Sequence, residues 1–126
     1  MRENEIAKLV LDQVLVLHRE YGPGLFESVY EKILLSRLRS TGLKAERQVP
    51  IYLNEEGLKS EIAFRMDIVV NEKLILELKS IEKLTKLHRM QLLTYLRLSK
   101  LKLGLLINFN TEYVLREGMQ KVVNGL

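Results

Sequence analysis

The sequence predicts an α/β fold, a mixed β-sheet of four to five strands flanked by three main helices. Three observations carry that reading. Two amphipathic stretches of helical length come first, strand-sized apolar segments joined by turns follow, and one more helical stretch separates these from a last apolar strand. Strands followed by a covering helix and a further strand is the order of a layered α/β domain.

The first helix spans Asn4 to Arg19, where Ile6, Leu9, Val10, Val14 and Leu17 recur at helical spacing. His18, near its end, is expected at the surface. Tyr21-Gly22-Pro23-Gly24 breaks the helix. The second helix starts at Leu25 or Phe26 and runs to Ser40, with Phe26, Val29, Tyr30, Ile33, Leu34 and Leu38 as its buried stripe. Glu27 falls in the first turn, where the helix dipole favours an acid by about 0.3–1 kcal/mol. On that ground alone Glu27 reads as structural. Thr41-Gly42 ends the helix, and Leu43–Leu53 alternates as a strand. Asn54-Glu55-Glu56-Gly57 is a hairpin loop, and a second strand runs from Leu58 through Ile62, Phe64 and Met66 to Val70.

The third helix, Lys83 to Ser99, has apolar residues on both sides and is expected to bury a broad face. Gln91 shares a side with Leu84, Leu87, His88 and Tyr95, and by itself reads as a boundary glutamine. Leu103–Phe109 has the continuous apolar character of a buried central strand. Tyr113-Val114-Leu115 is expected as a short edge strand, and Glu117–Leu126 as a tail with weak helical character.

Between the second and third strands lies the most informative stretch, Arg65 to Lys79. Asn71-Glu72-Lys73 reads as a tight turn, so Val70 pairs with Leu74 and Asp67 stands opposite Glu77. Side chains alternate along a strand, which puts Lys79 on the same side as Glu77. Directly opposed Cβ atoms are about 4.5–5.5 Å apart, and like charges there repel. A divalent cation would offset that repulsion, and Mg²⁺ suits a site of few carboxylates and retained waters. An ordinary solvent-facing hairpin is the alternative, and a two-residue turn would break the register. Spacing alone leaves the two level.

Composition bounds the function classes. A length of 126 residues is that of one domain with a real core. No apolar run approaches the roughly 20 residues needed to cross a bilayer, and the acidic, amphipathic start is unlike a signal peptide. A cytoplasmic protein with no membrane association is expected. The absence of cysteine excludes disulfides and thiolate metal sites, and His18 and His88 alone leave too few ligands for a histidine-built zinc site. A net charge of +4 and a pI near 9.4 are compatible with a polyanionic partner. Lys83, Lys86, Arg89, Arg97, Lys100 and Lys102 crowd the third helix and its exit, beside the acidic hairpin.

Asp67, then Glu77-Leu78-Lys79, then Gln91 on the following helix resembles the PD-(D/E)xK nuclease superfamily. Gly24-Leu25-Phe26-Glu27-Ser28-Val29-Tyr30 matches the signature of its GxxExxY group. His88–Leu96 and Gly104–Phe109 look like that group's later blocks, so the resemblance extends from about Ile6 to Arg116. Met66 stands where the superfamily's name has proline. The resemblance implies a restriction-endonuclease-like core and hydrolysis of phosphodiester bonds, of DNA in preference to RNA, by an endo- or exonuclease dependent on Mg²⁺ or Mn²⁺.

It further implies that Asp67 and Glu77 are metal ligands, with the Leu78 carbonyl and Glu27 as further oxygen donors. Lys79 would position or deprotonate the attacking water, and Gln91 would orient the lysine, a water or the phosphate. Lys83, Lys86 and Arg89 would touch phosphates of the nucleic acid. A homodimer would let one small site per chain cut both strands. Two other readings stay open: an inactive module on the same fold that binds nucleic acid or protein, and a purely structural acidic hairpin.

Overall fold

A computed structural model describes residues 1–126. Its elements are α1 (Glu3–Tyr21), α2 (Glu27–Ser40), β1 (Ala45–Tyr52), β2 (Ile62–Val70), β3 (Leu74–Lys79), α3 (Lys86–Ser99), β4 (Leu103–Asn108), α4 (Val114–Glu117) and β5 (Met119–Val123). The strands form one mixed sheet in the order β1-β2-β3-β4-β5. Neighbours are antiparallel except β3 and β4, which are parallel and joined through α3. This is the α/β architecture expected, with β3 rather than β4 at its centre.

Both faces of the sheet are covered. On one, α1 and α2 pack Ile6, Val10, Leu17, Tyr30 and Leu34 with Ile68, Leu76 and Ile107 of the sheet. On the other, α3 packs Leu92, Tyr95 and Leu96 with Met66, Val69, Ile75 and Leu106. Burying such a side chain contributes about 1.5–3 kcal/mol. The α1/α2 side has 21 buried residues against 9 on the α3 side, so α3 is the more weakly anchored layer. Its expected broad burial is not found: Leu87, Met90 and Leu98 are 74%, 52% and 53% exposed. Gly104 lets α3 sit close, since a Cβ there would lie 2.9 Å from the Leu92 side chain.

Other boundaries move for identifiable reasons. The second strand begins at Ile62 because Leu58 and Glu61 are taken up in turns, their amides donating to Glu55 and Leu58 carbonyls. The third helix begins at Lys86, where Thr85 is the N-cap. There the His88 imidazole accepts from the Thr85 amide at 3.0 Å, the task a glutamate performs in a capping box.

The expected edge strand at Tyr113–Leu115 is instead the N-cap and first residues of the single turn α4, which inserts Val114 into the core. The expected helical tail holds β5, which pairs along β4 from Leu103↔Val123 to Ile107↔Met119. Gly118 admits that return: a Cβ there would lie 2.2 Å from the Asn108 carbonyl oxygen. His18, expected at the surface, is buried, and its Nε2 lies 3.0 Å from the Phe109 carbonyl oxygen.

Candidate active site

The hairpin register is the expected one, with Val70↔Leu74, Val69↔Ile75 and Ile68↔Leu76. Asn71 and Glu72 both have positive φ, at 52° and 54°. A hairpin turn that matches the twist of its strands needs this conformation at both central residues. Past Ile68 and Leu76 the main-chain ladder stops, and side chains take it over. The Asp67 amide donates to Glu77 Oε1 at 3.2 Å, and the Leu78 amide donates to Asp67 Oδ2 at 2.8 Å. The two carboxyls therefore sit in the fork where β2 and β3 part.

β1 is interrupted at the same level. Arg47 pairs with Ile68 and Val49 with Met66, while Gln48 between them has a φ of 50°. That region is uncommon for a residue with a side chain. Glu31 of α2, 5% exposed, holds the irregularity: its Oε1 accepts from Gln48 Nε2 at 3.0 Å and from Arg47 Nε at 3.2 Å. The burial pattern of β2 slips here too. Met66 packs toward α3, whereas Ile68, two residues on, packs toward α1 and α2.

Electrostatics follow from this crowding. Burial raises the Asp67 pKa, the Glu31 charge adds to the rise, and the Leu78 amide, Glu77 and Lys79 oppose it. Glu77 is pushed up to about 9 by burial, by the Asp67 charge and by a hydrogen bond shared with the Asp67 carboxyl. Tyr95, reaching in from α3, is pushed up to about 12 by burial and by the fields of Glu77 and Asp67. The fork thus holds two acids that cannot both ionise cheaply, which favours keeping a proton on the pair.

Lys79 is half-buried at the end of β3, and its charge acts on both acids. Glu27 is exposed, and its Oε2 accepts from the Ser80 amide at 2.9 Å, one residue past Lys79. Gln91 lies one helical turn before Tyr95 but is exposed and makes no hydrogen bond. Leu78 meets the site through its amide. Lys83 and Lys86 are exposed at the start of α3, while Arg89 Nη1 donates to the Lys121 carbonyl at 3.4 Å, toward β5.

No three acidic or histidine side chains stand close enough to hold a metal ion among themselves. The donor set still fits a hard cation. Mg²⁺ needs only one or two carboxylates and takes waters for the rest, and a cation between Asp67 and Glu77 would relieve the repulsion that a proton relieves now.

A family model described as the PD-(D/E)XK nuclease superfamily matches residues 4–122. The chain belongs to the PD-(D/E)XK nuclease superfamily. Comparison with curated proteins and with solved structures gives no match. Superfamily members generally depend on divalent metals, in keeping with the oxygen donors of the fork.

Sequence reasoning missed four residues that shape this candidate site. Glu31 and Gln48 stand 17 positions apart in the chain and meet only in the fold. Tyr95 reads as one more apolar position of α3, and Asn108 as part of an apolar strand. Asn108 is 2% exposed and ties down the turn after β3. Its Oδ1 accepts from the Ile81 amide at 3.1 Å, and its Nδ2 donates to the Ile81 carbonyl at 2.9 Å. In the GxxExxY stretch Tyr30 has a clear structural task. Its ring stacks on Phe109 at 4.1 Å, and its hydroxyl accepts from the Leu25 amide and donates to the Gly22 carbonyl.

Proposed function

We propose that this chain is a single-domain Mg²⁺- or Mn²⁺-dependent nuclease of the GxxExxY group, acting on DNA in preference to RNA in the cytoplasm. The observation that carries the reading is the pair formed by buried Glu77 and half-buried Asp67 in the strand fork, with the Lys79 charge beside it. Asp67 and Glu77 would hold the metal, with the Leu78 carbonyl and Glu27 as further oxygens. The bound ion supplies a Lewis acid and a water of lowered pKa.

The chain's own groups do the rest. Lys79 places a compact positive charge where negative charge builds on phosphorus. Burial of Glu77 in the fork lowers the local dielectric, which strengthens its grip on a cation held together with Asp67. Tyr95 closes the α3 side of that fork. Gln91 is free to turn toward a bound phosphate, and Lys83, Lys86 and Arg89 supply phosphate contacts. A homodimer would place two such sites on opposite strands.

A panel of single-stranded, duplex and branched DNA and RNA, incubated with Mn²⁺ and with EDTA, tests the proposal. Cleavage dependent on Mn²⁺ is expected from the wild type, and loss of at least a hundredfold from folded Lys79→Ala and Asp67→Ala. Equal cleavage by all three proteins would reject it. A second reading, an inactive binding module, is favoured by Glu27 being held on the Ser80 amide and not clustered with Asp67 and Glu77; it predicts binding of the panel without cleavage.

A further inference from the structure

A sizeable cleft of the molecule lies outside the fork, linked to it through the turn that follows Lys79. It has a volume of about 770 Å³, and Arg19, Pro23, Asn110, Tyr113 and Arg116 are among its walls, with Glu112 its one acid. That is the size of a site for a small molecule or nucleotide, ~300–1,000 Å³, and too small for a duplex. Its chemistry is specific. The Arg116 guanidinium lies 4.3 Å from the centroid of the Tyr113 ring, and that ring is 51% exposed. Neither Arg19 nor Arg116 takes part in any ion pair of the molecule. An exposed tyrosine ring, stacked on one side by the Arg116 guanidinium and with Arg19 lining the same cleft, offers the stacking surface and positive charge that a nucleobase and its phosphate require.

The cleft also shares walls with the candidate active site. Gly22 and Pro23 form part of it, and the same connection supplies Leu25, whose carbonyl accepts from Ser80 Oγ at 3.1 Å. On the other side Asn110 lines the cleft while its Nδ2 donates to the Ile81 carbonyl at 3.1 Å. Ser80 and Ile81 directly follow Lys79. The Tyr30 hydroxyl holds this ridge in shape by bridging Gly22 and Leu25.

We propose that this cleft takes a base and phosphate from a single-stranded segment leaving the fork, through Tyr113, Arg19 and Arg116. The preferred substrate is then nucleic acid with an unpaired arm next to the cleaved bond, not continuous duplex. The part concerning cleavage rests on the nuclease reading above; the part concerning binding does not.

The test is fluorescence anisotropy with a labelled single-stranded thymidine oligonucleotide and a blunt duplex, in EDTA so that nothing is cut. Tyr113→Ala is expected to weaken single-strand binding by about five- to a hundredfold, the range for losing one stacked base. Tyr113→Trp should restore it. Arg19→Glu with Arg116→Glu should weaken it further and flatten its salt dependence. Blunt-duplex affinity should change less than twofold. Thermal unfolding of each variant checks folding.

Unchanged single-strand affinity in both sets of variants overturns the proposal, as does an equal loss for the blunt duplex. So does preferential capture of a labelled acidic peptide that the same variants lose, which would assign the cleft to a protein partner. If single-strand binding follows the variants but Mn²⁺ produces no cleavage, the nuclease reading fails and the cleft stands.

Discussion

Asp67 and Glu77 are joined through the backbone of one and the side chain of the other: the Asp67 amide donates to Glu77 Oε1 at 3.2 Å. Burial raises both carboxyls and the Asp67 charge raises Glu77 further, so the pair favours keeping one proton. In this state the fork is held together by a proton, and anything that removes it must supply positive charge.

That sets the pH dependence of the metal-free protein. Glu77 keeps its proton in the fold up to about pH 9, whereas in an unfolded chain it ionises near its ordinary value of 4.5. Between those values the native state binds more protons than the unfolded one, so stability falls as pH rises. The loss begins near pH 4.5 and is complete only above pH 9. Glu77→Gln, which needs no proton, should be more stable than wild type at pH 8 in EDTA by about 1 kcal/mol or more, since each tenfold difference in proton affinity between the folded and unfolded chain is worth about 1.4 kcal/mol. At pH 4 the two should differ little. Melting curves at both pH values check this, and parallel pH profiles would contradict it.

Metal loading should release the proton. At pH 7 binding of Mn²⁺ to the wild type is expected to liberate close to one proton, seen as a dependence of the calorimetric enthalpy on the ionisation enthalpy of the buffer. A concentration of about a hundred times Kd should stabilise the fold by about 2.7 kcal/mol, and EDTA should reverse the gain. Asp67→Asn and Glu77→Gln should lose both signals. A buffer-independent enthalpy would argue against a shared proton.

How much of this was legible depends on how local each feature is. The fork was, because a short turn fixes register and register fixes which side chains face each other; Asn71 and Glu72 adopt the backbone that turn demands. The second helix was legible for the same reason, but only part of its stripe: Tyr30, Leu34 and Leu38 are buried, whereas Phe26, at the N-cap, is 82% exposed and Val29 37%. β5 was not legible: Met119-Gln120-Lys121-Val122-Val123 has one buried residue, and only the free edge of β4 makes it a strand. Glu31 was hidden among the charges of α2, because nothing local says that one acid of a helix is buried against a strand 16 or 17 residues away. Gln91, by pattern a boundary glutamine and given a role only by the resemblance, stands exposed.

The Glu31 contact predicts a cooperative effect. Gln48 is held in a left-handed conformation that costs of order 1–3 kcal/mol unless its surroundings enforce it. Glu31→Ala removes the acceptor of both Gln48 and Arg47 and should destabilise by about 1–3 kcal/mol. Gln48→Gly relaxes the backbone requirement, so the double variant should lose less than the sum of the singles. Urea unfolding of the four proteins gives the coupling, and strict additivity would show that Glu31 does not hold the irregularity.

Asn108 predicts an effect on the site exerted through the loop after Lys79. Its carboxamide satisfies both the amide and the carbonyl of Ile81 and accepts from the Asn110 amide at 3.2 Å, all while nearly fully buried. Asn108→Ala strands these main-chain groups, at about 1–3 kcal/mol for the first left unpaired. Asn108→Asp keeps the acceptor and loses the donor while burying a charge, so it should be no better near pH 8 and should improve as the new carboxyl is protonated at low pH. Because Ile81 lies two residues past Lys79, hydrogen exchange of the Ser80 and Ile81 amides should speed up in both variants, while amides in β1, at the far edge of the sheet from β4, keep their protection. Uniform acceleration across the chain would mean that Asn108 supports the fold as a whole and not the loop beside the fork.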